Sequence, residues 1–136
     1  MEETRYRLRQ GTRVVGYMRK WSDQQSVFYS KDSFWWTGRP LNYDAIDEWT
    51  GLRDMGNTPV YEWDIVAFRP TPEMEEVMAA VLWHKEEQQF ALVEPIQGTI
   101  IPLAVHGIPV VGPRDLRVHA YLFQNPAWLE QLGLEE

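Results

Sequence analysis

From Trp49 to Phe123 the apolar residues mostly come in short runs, closed by proline, glycine or other turn-forming residues. That spacing favours short strands over long helices. Asp54-Met55-Gly56-Asn57 carries turn chemistry, because Gly and Asn reach positive φ at little cost. Val60-Tyr61 and Asp64-Ile65-Val66-Ala67-Phe68 have strand character, and Pro70 and Pro72 end the second. Ile100 to Val111 is apolar, yet Pro102, Gly107 and Pro109 exclude a long helix there. Leu116 to Phe123 fits a late strand. Asn125-Pro126 followed by Gly133 places an N-cap, an N1 proline and a C′ glycine around a short terminal helix.

Nearer the N-terminus, Arg5-Tyr6-Arg7-Leu8-Arg9 alternates with period two, as a half-exposed strand does. Val27-Phe28-Tyr29 and Phe34-Trp35-Trp36 are aromatic runs separated by Ser, Lys and Asp, a hairpin or meander pattern. Gly38-Arg39-Pro40 is a loop. The segment after Thr71-Pro72-Glu73 has two readings. Met74, Val77, Met78, Val81 and Leu82 recur at helical spacing, which locally favours a helix. The alternative is a pair of strands, 77–84 and 89–94, joined by Lys85 to Gln88.

A chain of 136 residues with 44% hydrophobic and 13% aromatic side chains can build one core, or one barrel with a smaller N-terminal layer. Without cysteine it has neither disulfides nor thiolate metal sites. The first twenty residues lack a signal-peptide apolar run, and no stretch has membrane-spanning character, so a cytoplasmic location is expected. The net charge of −7 disfavours non-specific nucleic-acid binding. The charge is uneven: residues 1–40 carry eight basic and four acidic side chains, and the remainder five basic and sixteen acidic. Such asymmetry most simply makes a solvated charged face; it also suits an interaction arm, or two faces that attract each other within an oligomer.

Little in the chain points to catalysis. Glu62 and Asp64, two apart, would share a strand face, but a carboxylate opening a strand more simply accepts N–H bonds from the turn. His84, His106 and His119 have no short ligand spacing. Ser22, Ser26, Ser30 and Ser33 have no nearby histidine, and there is no phosphate-cradling glycine loop. No enzyme activity, metal or cofactor is expected. The seven tryptophans are more than a barrel of this size would bury fully. Trp21, Trp35, Trp36 and Trp63 are therefore the candidate partner or oligomer surface, with one of the adjacent Trp35 and Trp36 facing outward; the alternative is that these rings pack in the core under the N-terminal layer.

Trp49-Thr50-Gly51-Leu52-Arg53-Asp54 followed by Val60-Tyr61-Glu62-Trp63-Asp64-Ile65-Val66 resembles the central signature of the YopX-like family of phages and prophages. Met18-Arg19-Lys20-Trp21, Val81-Leu82-Trp83 before Phe90-Ala91-Leu92, and Leu122 to Leu129 are similar to further motifs of that family, in the same order. The resemblance implies a mainly β fold: an SH3-like barrel over residues 49–136 with a short C-terminal helix, and an N-terminal β layer or arm over 1–48, or one integrated domain. It implies a hairpin in place of the helix at 74–94, with Val81 and Trp83 on its buried face, and it carries no catalytic residues. Trp63 stands where the family has Gly, Ala120-Tyr121 replaces Gly-Asn, and Gly56-Asn57 reverses Asn-Gly. A tryptophan avoids left-handed backbone, so residue 63 is expected at negative φ with its indole directed away from the barrel wall.

Two functional readings follow. The first is a non-enzymatic protein-interaction module that associates with itself as a homo-oligomer. The second is a nucleic-acid binder, with Arg5, Arg7, Arg9 and Arg13 on phosphates and exposed aromatics stacking bases. The acidity of the second half argues against the latter.

Overall fold

A computed structural model of the chain describes residues 3–21 and 26–134. Ser22, and Glu2, Asp23, Glu135 and Glu136 of the charge tally, lie outside the described residues. The fold is mainly β, with one short C-terminal α-helix. The chain divides into two compact units, Met1–Trp49 and Thr50–Glu136.

The first unit is an antiparallel sheet built from β1 (Glu3–Gln10), β2 (Arg13–Trp21), β3 (Val27–Ser30) and the first half of β4 (Ala45–Arg53), in the order β3-β2-β1-β4. Gly11, at φ +60°, turns β1 back onto β2, and the register shifts between Leu8 and Arg9. Leu8 and Met18 are buried on one face. Gly16 lies opposite Leu8, where the Leu41 side chain and the Ser30 carbonyl occupy the space of any Cβ. The half-exposed reading of β1 holds only at its start. Arg7 and Arg9 are 2% and 6% exposed, so at residues 7–9 both faces are covered.

Phe34-Trp35-Trp36 does not continue β3 as a hairpin strand. It forms a loop that closes with a single bridge between Tyr29 and Thr37. The cause is Asp32, whose carboxylate takes over the backbone N–H groups that a strand ladder would have used.

In the second unit the end of β4 runs beside β5 (Pro59–Tyr61). A five-stranded antiparallel sheet follows in the order β12-β6-β7-β8-β9. Its strands are β6 (Asp64–Phe68), β7 (Val77–His84), β8 (Gln89–Val93), β9 (Ile100–Pro102) and β12 (Leu116–Tyr121). A small hairpin, β10 (Ala104–Val105) and β11 (Ile108–Pro109), and a 3₁₀ turn at Pro113–Asp115 lie between the last two. The sheets are open, not closed into a barrel.

Residues 77–93 form a hairpin with Val81 opposite Leu92 and Trp83 opposite Phe90. The helical spacing of Met74 to Leu82 is therefore incidental: a strand apolar on both faces satisfies the same positions. One face of the sheet packs Val66, Phe68, Ala79, Val81, Leu92 and Leu116 into the main core. The other puts Ile65 and Ala80, with Leu122 of the 3₁₀ turn that follows β12, beneath α1 (Pro126–Leu132), with Trp128, Leu129 and Leu132 of that helix on them. Val81 is fully buried, but Trp83 on the same side is 41% exposed, contrary to expectation. It lies next to the hairpin end, where the sheet runs out, edge-on to Phe90 with ring centroids 5.0 Å apart. The helix ends at Gly133 in left-handed conformation, as the sequence suggests. Asn125, however, does not cap with its side chain; its amide donates back to the Tyr121 carbonyl.

Trp63 has a φ of +71°, opposite to the expected sign. The reason is local. The Trp63 N–H donates to the Val81 carbonyl and its own carbonyl accepts from Leu122, each at 2.8 Å, so both sides of the residue are fixed. The Asp64 carboxylate accepts the Tyr61 N–H at 2.8 Å and closes the turn between them. Glu62 consequently lies in that turn and does not share a strand face with Asp64. The indole is partly covered against Ile65, Ala80 and Leu122 rather than projecting away.

Candidate functional site

The first unit gathers most of its functional chemistry on the sheet face that carries the odd-numbered residues of β1 and β2. Arg5 lies directly opposite Arg19, and Arg7 opposite both Tyr17 and Asp47. Arg7 Nε donates to Asp47 Oδ2 at 2.8 Å, and Arg9 donates to both carboxylate oxygens at 3.1 and 3.0 Å. One buried aspartate thus holds two buried guanidiniums. A buried charge is tolerated when paired and hydrogen-bonded in this way. It also takes Arg7 and Arg9 out of the set that phosphates could reach, leaving Arg5 and the exposed Arg13 of the four arginines named above.

Beyond this pair the face is aromatic. The Arg19 guanidinium lies 4.9 Å from the Trp21 ring centroid and 4.6 Å from that of Trp36. Arg5 lies 5.5 Å from Trp36 and 5.8 Å from Trp49. Trp21, Arg19, Trp36, Arg5 and Trp49 therefore form an alternating ladder of rings and cations, favourable because each guanidinium faces ring π-density. Arg5 is also paired with Glu3. Arg19 Nε is buried and has no hydrogen-bond partner among the described residues. On the opposite face the Lys20 ammonium sits 5.5 Å from the Tyr6 ring, and burial, then the Glu48 charge, raises the Tyr6 hydroxyl pKa.

The loop after β3 presents the most exposed aromatics of the chain. Phe34 and Trp35 are 86% and 78% exposed. The backbone beneath them is fixed in place. Asp32 Oδ1 accepts the N–H groups of Phe34 and Trp35, both at 2.9 Å, and the Ser30 hydroxyl at 3.0 Å. Ser30 is itself buried and accepts the Ser33 N–H at 2.8 Å. The N–H groups of Trp35 and Phe34, with the Ser30 hydroxyl, hold the Asp32 carboxyl below its ordinary value of 3.8. Beside the loop lies a groove of about 470 Å³ walled by Tyr29, Trp35, Pro40 and Leu41, with Lys31 and Arg39 at its rim. Neither cation makes an ion pair among the described residues.

Of the candidate tryptophans, Trp21 and Trp36 come together around Arg19, and Trp35 stands alone in solvent. Trp63 belongs to the second unit and serves the turn and the core cluster there. Arg19, Asp47, Asp32 and Phe34 were not singled out from sequence. Ser30-Lys31-Asp32-Ser33 did carry a signal, since Asp and Ser capture backbone N–H groups in turns. Nothing local marks Asp47 as the partner of arginines some forty residues away.

Among the described residues no cluster of three or more His, Asp or Glu could hold a metal ion. No helix there is long and apolar enough to cross a membrane. His106 and His119 are exposed and His84 is partly so. No family model matches the chain, and no curated protein is significantly similar to it.

Proposed function

We propose that this chain is a YopX-like protein of the phage and prophage type, acting in the bacterial cytoplasm as a non-enzymatic protein-interaction module that associates with itself. One observation carries the interaction reading: Phe34 and Trp35 are held in solvent on a loop whose backbone Asp32 fixes. Exposed neighbouring aromatics on a pre-ordered segment are the usual make-up of an interface anchor, because little entropy remains to be lost on binding.

The family reading is supported by backbone conformation at its signature positions. Residue 63, where the family has Gly, sits at positive φ, and so does Asn57, where its Asn-Gly turn would place Gly. Gly51 of Thr50-Gly51-Leu52 has a φ of +90°. The SH3-like reading of the second unit is supported by a meander, β6 to β9, whose final partner β12 returns beside the first strand. A sheet of that order is suited to curl into a small barrel.

Size-exclusion chromatography with light scattering across a concentration series tests the interaction reading. The parent should show a mass that rises with concentration. Trp35→Ala should weaken association by ~2 kcal/mol, about thirtyfold. Identical behaviour of the two proteins would place the anchor elsewhere, and a monomer at all concentrations would end the self-association reading. A salt-dependent mobility shift with DNA would favour the nucleic-acid alternative instead.

A further inference from the structure

The second unit has a groove whose chemistry is the reverse of the one beside Trp35. It encloses about 590 Å³ between β7, the loop after β8 and α1, with Val77, Met78, Ile96 and Trp128 as apolar wall and Glu76 and Glu94 at its edge. Glu73, Glu75 and Glu76 lie on an exposed loop leading into it. Glu73 and Glu75 make no ion pair among the described residues, and Glu76 has only Arg117, at 3.4 Å and exposed. Glu94 is fixed in position, accepting the N–H groups of Ile96 and Gln97.

We infer that this groove receives the Phe34-Trp35 loop of a second copy of the chain, so that self-association is head-to-tail, with Lys31 and Arg39 of one molecule facing Glu73, Glu75 and Glu76 of the next. The inference rests on the self-association reading above and specifies its geometry. Three properties match. The projecting element carries two exposed rings, and the receiving groove is apolar, with room for a large aromatic side chain. The projecting element is flanked by cations without counter-ions, and the receiving groove by acids largely without theirs. The same opposition holds along the chain: eight basic against four acidic side chains in residues 1–40, and five against sixteen in the rest. Every molecule then offers one knob and one groove on different surfaces. Such a contact is heterologous: it joins two different surfaces, one from each copy.

Charge reversal on exposed side chains tests this without disturbing the core. Two full-length variants are compared with the parent by light scattering: Lys31→Glu with Arg39→Glu, and Glu75→Lys with Glu76→Lys. Circular dichroism confirms that each is folded. Each variant alone should raise the dissociation constant at least about tenfold, and an equimolar mixture should regain association, because the unaltered knob of one variant meets the unaltered groove of the other and the two reversed surfaces also match. Association that survives both reversals, or a mixture that stays dissociated, overturns the head-to-tail geometry while leaving self-association standing. A parent that is monomeric throughout the concentration series overturns both.

Discussion

At Trp63 the backbone and the side chain make opposing demands. The hydrogen bonds to Val81 and from Leu122 require a left-handed residue, and a Cβ there costs ~1–2 kcal/mol, while the indole gains partial cover on Ile65, Ala80 and Leu122. Comparing Trp63→Gly with Trp63→Ala separates the two terms, since both lose the ring and only glycine relieves the backbone. By urea denaturation the Gly variant should be more stable than the Ala variant by about 1 kcal/mol; equal stabilities would mean that the backbone is unstrained. Asp47 poses a different problem at the same scale. Asp47→Ala leaves two buried guanidiniums without their carboxylate and should cost ~3–5 kcal/mol, visible in the same experiment. Asp32 adds a pH dependence. Its folded pKa is below 3.8, so its hold on the loop is complete above that value and fades as the pH falls below it towards the folded pKa. The Trp35 amide resonance should be constant down to about pH 4 and then move, and Asp32→Asn should abolish that movement.

Among the elements, the 77–93 hairpin shows best what the sequence could and could not say. Its strands are buried on two faces, so apolar residues fall at helical and at strand spacings together and period alone cannot choose. Order and spacing of the longer motifs favoured the hairpin that forms. The depth of each residue along it was not legible, because burial at a strand end depends on where the sheet stops. Leu92→Ala, in the main core, should cost ~2–5 kcal/mol. Trp83→Ala should cost only ~1 kcal/mol, mainly its edge contact with Phe90; thermal melts of the two variants check the contrast. Turns and the terminal helix were readable because Asn, Gly and Pro act locally. Asp54 shows both the local and the hidden part: its carboxylate accepts the nearby N–H groups of Gly56 and Thr58, which the turn pattern announces, and that of distant Val118, which it does not. The arginines of β1 were misread for the converse reason. Period two announces a strand but not what covers its second face, and the partner Asp47 arrives on β4. Of the site, the tryptophans were visible as a surplus, while the loop that displays Trp35 depends on one aspartate.

At the scale of the whole molecule, net charge works against the proposed self-association. At −7 the copies repel one another on average, so the proposed contact needs its basic and acidic rims to offset that repulsion. Its strength should fall as salt is raised from about 0.05 to 0.5 M, since the rim charges are solvent-exposed and screened within about a Debye length. Sedimentation velocity across that range measures it, and a salt-independent mass would assign the contact to apolar burial alone. The bridge between Tyr29 and Thr37 bears on what kind of assembly results. β3 ends the strand order of its sheet, and an uncovered outer strand invites neighbouring chains to continue the ladder without limit. Thr37 already takes both outward main-chain groups of Tyr29, at 2.8 and 2.9 Å. A neighbouring chain therefore meets the middle of that edge already paired, and continuation of the ladder through it is blocked.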